Sequence, residues 1–155
     1  MGLLIIIIAT SALAAVLARL AWVDLRTFRL PNIYTVPLIG AGLVLAVVTD
    51  RISIGASVAG ALTGFGLFWA IGQFYFVRHG QEGLGLGDAK LFAASGSWLG
   101  VGLLPYVLLV ASLGGLVYAL LTRRNPDRRV AFGPWLACAF MVVWIVSAGG
   151  GLLSE

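Results

Sequence analysis

The chain has little charge and almost no reactive sulfur or imidazole: 10% of its 155 residues are charged, and it holds 1 cysteine and 1 histidine. With 61% of residues hydrophobic, that polar complement is too small to clothe a soluble globule, where about 25% of residues are charged. The single cysteine, Cys138, excludes an intrachain disulfide framework and a CxxC zinc site. Inside its apolar stretch it reads as a small core residue. His79 and Glu82 stand three apart at a loop start, where a solvated histidine is the expected reading and no metal is implied. No serine occupies a nucleophile elbow, and the lone histidine offers no evident base for a nucleophile. The glycine-rich stretch is neither a GxxxxGK[ST] phosphate loop nor a GxGxxG fingerprint. Residues Met1 to Ala18 lack the basic start of a secretory signal, so they read as a retained helix.

What the chain does have is long apolar runs, with a mean hydropathy of +1.05. Charges cut it into apolar blocks at 2–23, 30–49, 52–77, 91–122 and 130–154. A spanning helix needs about 20 apolar residues. The fourth block, as one helix, would run about 48 Å against a hydrocarbon core of about 30 Å. Pro105 lies near its middle, preceded by Gly100 and Gly102, and divides it into two helices. The expectation is an all-α, polytopic membrane protein. A single transmembrane domain over 1–155 holds six helices, at about 2–23, 32–49, 52–77, 89–104, 106–122 and 131–152. Gly60, Gly64, Gly66, Gly114 and Gly115 within these helices signal close helix packing.

A net charge of +4 raises nucleic acid as a partner, but the basic residues form no stripe and no aromatic platform accompanies them. They fit membrane orientation instead. With the N-terminus outside and six spans, Arg19, Arg26, Arg29, Arg78, Lys90, Arg123, Arg124, Arg128 and Arg129 are all cytoplasmic, and Arg51 alone is outside. Five spans would put the four arginines at 123–129 outside. The positive-inside bias therefore supports six spans with both termini outside.

Parity then places Asp24, at the end of the first helix, and Asp88, at the start of the fourth, at matched depth on the inner side. Asp50 is adjacent to Arg51 on the outer side, Asp127 lies among arginines, and Glu155 is terminal. Each of the two aspartates has an ordinary structural explanation. Asp88 follows Gly80-Gln-Glu-Gly-Leu-Gly-Leu-Gly87 and is a good residue type for a helix N-cap, and Asp24 has Arg26 and Arg29 nearby as ion-pair partners. Two membrane-embedded carboxyls at one depth also point to function. Adjacent carboxyls do not ionise together easily and share a proton, so one activates a water while the other protonates a carbonyl. Such a pair needs no metal and no cofactor. By helix ends alone, Asp88 is expected to ionise first and Asp24 to hold the shared proton.

Four ordered stretches carry a family resemblance: Asp24 followed by Pro31-Asn32; Glu82-Gly-Leu-Gly-Leu-Gly-Asp-Ala-Lys-Leu91; Gly96-Ser-Trp-Leu-Gly100; and Phe132-Gly-Pro134. Together they resemble the type IV prepilin peptidases. Presenilin-like proteases share GxGD, but their first aspartate typically follows tyrosine, whereas Val23 precedes Asp24. The resemblance implies an aspartyl endopeptidase that removes the basic leader of type IV prepilins or pseudopilins. It implies a multi-pass protein of the cell inner membrane with its active site at the cytoplasmic face. It assigns catalysis to Asp24 and Asp88, and substrate binding or site shaping to Gly85, Gly87, Lys90, Pro31, Asn32 and Glu82. The cytoplasmic cysteine-containing segment linked to N-methylation in many bacterial members has no counterpart in these residues, so methyltransferase activity is not expected. Two other classes remain open on the sequence. A proton- or cation-coupled transporter predicts acids spread through membrane depth, and a noncatalytic secretion-system scaffold predicts that Asp24→Asn is silent.

Overall fold

The computed structural model describes residues 2–80, 85–121 and 131–152. Six α-helices follow one another: α1 (Gly2–Thr27), α2 (Asn32–Thr49), α3 (Ile54–His79), α4 (Leu86–Leu99), α5 (Leu104–Leu121) and α6 (Gly133–Leu152). A short 3-10 turn, Val101–Leu103, joins α4 to α5. There is no strand among the described residues, and the chain is an all-α polytopic membrane protein. α1, α2, α3 and the stretch Val101–Leu121 are each long and apolar enough to cross a membrane, and Gly133–Gly149 of α6 is a shorter apolar helix. The 14 residues of α4 reach only about 21 Å.

That short helix is the centre of the bundle. Every residue from Leu91 to Gly100 is buried, with α3 and α2 against it on two sides and α6 on a third. In lipid, apolar contact gives little driving force between helices, so close packing of small residues does that work. Gly60 of α3 and Gly96 of α4 meet backbone to backbone, leaving no room for a Cβ on either. One turn along, a Cβ on Gly64 would lie 2.7 Å from the Phe92 carbonyl oxygen. Gly114 faces the Trp135 ring across the α5–α6 contact, whereas Gly66 faces open space and has no such role. Aromatic rings fill the remaining gaps: Phe68 stacks on Phe92 at 4.4 Å and Trp98 meets Trp144 edge to face at 5.2 Å.

Most polar side chains inside this core are hydrogen-bonded, within α4 or across to a neighbouring helix, whereas the buried Thr35 Oγ1 has no partner. Ser95 and Ser97 Oγ donate to the Phe92 and Ala94 carbonyls at 2.7 and 2.8 Å. Trp98 Nε1 donates to the Leu38 carbonyl at 2.9 Å, tying α4 to α2.

Three local features differ from the sequence expectation. The break after α4 falls at Gly100, whose φ of 76° is the left-handed conformation that favours glycine. Pro105 does not make the break; it sits in the first turn of α5, where a missing N–H costs nothing. Cys138 is exposed on the outside of α6 and is not a core residue. α6 is apolar around its whole circumference, so hydropathy has no contrast from which to tell its inner face from its outer one. Finally, α1 continues to Thr27 and α4 begins at Leu86, so both aspartates lie within helices, one turn from an end.

Candidate active site

Asp24 occupies the last turn of α1 and is only 5% exposed. The helix ends just beyond it because Phe28 takes the left-handed conformation, φ 52°, while its N–H donates to the Asp24 carbonyl at 2.8 Å. A bulky residue in that conformation costs about 1–2 kcal/mol. The turn redirects the chain through Arg29 and Leu30 to Pro31, which starts α2. The proposed ion pairs of Asp24 do not form: Arg26 lies over the Trp22 ring, 4.5 Å from its centroid. The carboxyl turns inward, where Oδ2 accepts a hydrogen bond from the Gly133 backbone N–H at 3.1 Å. That partner belongs to the first turn of α6 and not to the acid's own helix. Ranking the two acids by the ends of their own helices leaves that partner out.

Asp88 is the third residue of α4 and is half-buried. It is not the N-cap: Gly85 holds that position, with φ −71° and ψ 140° and no side-chain cap. The reason for glycine differs along the motif. A Cβ on Gly87 would lie 2.8 Å from Leu30 Cβ, so only glycine lets the start of α4 approach the turn that follows Asp24. A Cβ on Gly85 would meet Asp88 Oδ2 at an ordinary 3.7 Å. Lys90, one turn within α4, donates from Nζ to Asn32 Oδ1 at 2.7 Å and ties the starts of α4 and α2 together. The half-buried Pro31 starts that helix.

These contacts bring Asp24 and Asp88 within electrostatic reach of each other. Beside Asp88, a groove of about 290 Å³ opens between α3 and α4, lined by Phe68, Trp69, Gln73, Phe76, Gly85 and Leu86. A partly polar groove thus lies beside the end of the bundle where the two acids meet. Asp50 is at the opposite end, where it closes α2 in the left-handed conformation. Its neighbour Arg51 turns away, donating from Nη2 to the Ser147 carbonyl at 3.1 Å and lying over the Trp144 ring. Glu82, Asp127, Glu155 and the arginines at 123–129 lie outside the described residues, as does the side chain of His79. No cluster of three or more metal-ligating side chains occurs among the described residues.

Gly133 is the site residue that residue-by-residue reasoning missed. Phe132-Gly-Pro134 stands out in the sequence only as part of the resemblance, and nothing in it names Asp24, 109 positions away, as the partner.

Comparison with known proteins identifies relatives of the chain. The family model described as "Type IV leader peptidase family" matches residues 11–120, which include both aspartates. The chain is 42% identical over 126 residues to the prepilin leader peptidase/N-methyltransferase of Escherichia coli (strain K12), covering 79% of this chain and 56% of that protein. It is 37% identical over 140 residues to the protein of the same name from Dickeya chrysanthemi, covering 88% and 50%. With the one from Neisseria gonorrhoeae it shares 37% over 132 residues, covering 85% and 46%. The chain therefore spans about half the length of the curated relatives it matches. No solved structure matches it. A family match over most of the chain, with both aspartates inside it, leads to one conclusion: the chain belongs to the type IV leader peptidase family.

Proposed function

We propose that this chain is a membrane aspartyl endopeptidase that removes the basic leader of type IV prepilins or pseudopilins, with Asp24 and Asp88 as its catalytic pair. The observation that carries the reading is the convergence of two carboxyls, 64 positions apart, at one end of an otherwise apolar bundle. One carboxylate takes a proton from a water as its oxygen attacks the scissile carbonyl, and the other, protonated, gives its proton to the carbonyl oxygen. Collapse of the tetrahedral intermediate breaks the C–N bond, and the leaving amine takes up a proton from the pair. No metal or cofactor enters. The groove beside Asp88 is where the substrate chain would lie. Of the two activities in the relatives' names, the peptidase is the one this site serves.

The positive-inside pattern supports a pair at the cytoplasmic face of the membrane, with both termini outside. There a basic leader stays in water while the apolar part of its helix enters the bilayer. The transporter reading lacks support, because the remaining acid among the described residues, Asp50, caps a helix at the far end.

Purified protein in lipid, incubated with a prepilin, is expected to cleave after the leader glycine without added zinc or nucleotide, with product mass as the readout. Asp24→Asn and Asp88→Asn are each expected to lower cleavage by about 10²–10⁴-fold. Asparagine still accepts a hydrogen bond from Gly133, so a carboxyl that merely capped α6 would tolerate the change, and an active Asp24→Asn protein would reject the reading. Cysteines placed at Gly83 and Asn125 are expected to be labelled from the cytoplasmic side only; labelling from outside would overturn the topology.

A further inference from the structure

The first turn of α6 divides its hydrogen-bond donors between the residue just before it and a neighbouring helix. The first N–H groups of a helix have no partner within it. In α6 the Trp135 and Leu136 N–H groups both point to the Phe132 carbonyl, each at 3.1 Å, and Pro134 has no N–H to offer. That leaves Gly133, whose N–H donates to Asp24 Oδ2. Its missing side chain matters as much as its donor: a Cβ would lie 2.5 Å from Asp24 Oδ2 and 2.9 Å from Cγ. The carboxyl and the glycine backbone are thus in direct contact, with the glycine itself buried. Gly133 also lies beyond residues 11–120, the stretch matched by the family model.

We propose that Gly133 is a positioning residue for the reaction: its N–H pins Oδ2 of Asp24, fixing the plane of the carboxyl and leaving Oδ1 to work on the water or on the shared proton. This rests on the reading of Asp24 as catalytic. A carboxyl that turns about χ1 and χ2 at the end of a helix has freedom that an aligned pair must lose before reaction. A backbone donor supplies that alignment without adding a titratable group, and its helix start adds a favourable partial charge. Pro134 keeps the arrangement single-valued, since no second donor competes for the carboxyl from the next position.

The test separates the donor from the bulk. Replacing Gly133 with glycolic acid turns its amide into an ester, which removes the N–H and adds no side chain. Loss of one hydrogen bond to a charged group predicts a fall in kcat of roughly tenfold or more, with KM for the prepilin within about twofold and the melting temperature nearly unchanged. A kcat within twofold of the parent, or a loss carried wholly by KM, would overturn the proposal. Asp24→Asn is measured alongside. If Asp24→Asn is inactive while the ester protein is fully active, the positioning role alone fails; if Asp24→Asn still cleaves, the catalytic reading fails first.

Discussion

Asp24 sits near the end of a 26-residue helix, 5% exposed, with one carboxyl oxygen bonded to the backbone of a helix 109 residues away. Asp88 sits near the start of a 14-residue helix, half-buried beside an open groove. The first corner is held by a specific tertiary bond. The second is held by close approach: Gly87 lies on Leu30 with no side chain between them, and Lys90 reaches Asn32. One acid is oriented through its side chain, and the other is delivered by its backbone. The two corners should therefore respond to different kinds of change.

The largest effect should come from either carboxyl. Asp24→Asn and Asp88→Asn are each expected to lower the cleavage rate by about 10²–10⁴-fold while the melting temperature barely moves. A variant retaining a third of the parental rate would show that the two corners are not equal partners in the chemistry.

Next comes the steric asymmetry within the glycine motif. Gly87→Ala puts a methyl 2.8 Å from Leu30 Cβ, so the start of α4 must retreat. The expected cost is about 1–3 kcal/mol of stability, as for overpacking, with cleavage down by roughly tenfold through misplacement of Asp88. Gly85→Ala places its methyl in ordinary contact, in a conformation any residue adopts. Its stability should stay within about 0.5 kcal/mol and its rate within about twofold. Equal damage from the two alanines, measured by melting and initial rate, would break the steric account.

A smaller effect is expected at the clasp. Lys90→Met removes the bond to Asn32 but keeps an apolar stem, and exposed polar contacts contribute about 0.2–1 kcal/mol. The cleavage rate should fall by no more than about threefold, and a loss as large as that of Gly87→Ala would place Lys90 in the chemistry instead. The smallest effect belongs to the far end. Asp50→Asn keeps a residue that tolerates the left-handed conformation, so stability and rate should both stay within error, about 0.5 kcal/mol.

Much of the site was legible before any coordinates, because a carboxylate is costly in an apolar run and so stands out there. Asp24 and Asp88 could be singled out and placed on one side by counting spans. The glycines before Asp88 marked a close approach, although not which of the two required it. Gly87 does so through Leu30, and that neighbour belongs to the turn between α1 and α2. The Asp24–Gly133 bond was illegible for a similar reason, since a backbone donor leaves no mark on residue identity. The ordering of the two acids by helix ends considered each helix alone, so the Gly133 N–H on Asp24 lay outside it. Pro105 misled as a breaker because proline is disfavoured inside a helix but welcome in its first turn.

The sequence by itself determined that this chain enters a bilayer, that it is helical, and which two acids a count of spans puts on one side. The first two follow from composition and from the hydrogen-bonding demands of a backbone in hydrocarbon. Only the tertiary structure decided which helix sits at the centre, which face of α6 carries Cys138, and what holds Asp24 still. In a bundle where nearly every residue is apolar, hydropathy carries no contrast between inside and outside. Packing of small residues and the direction of single N–H groups set those choices, and both are properties of neighbours in space.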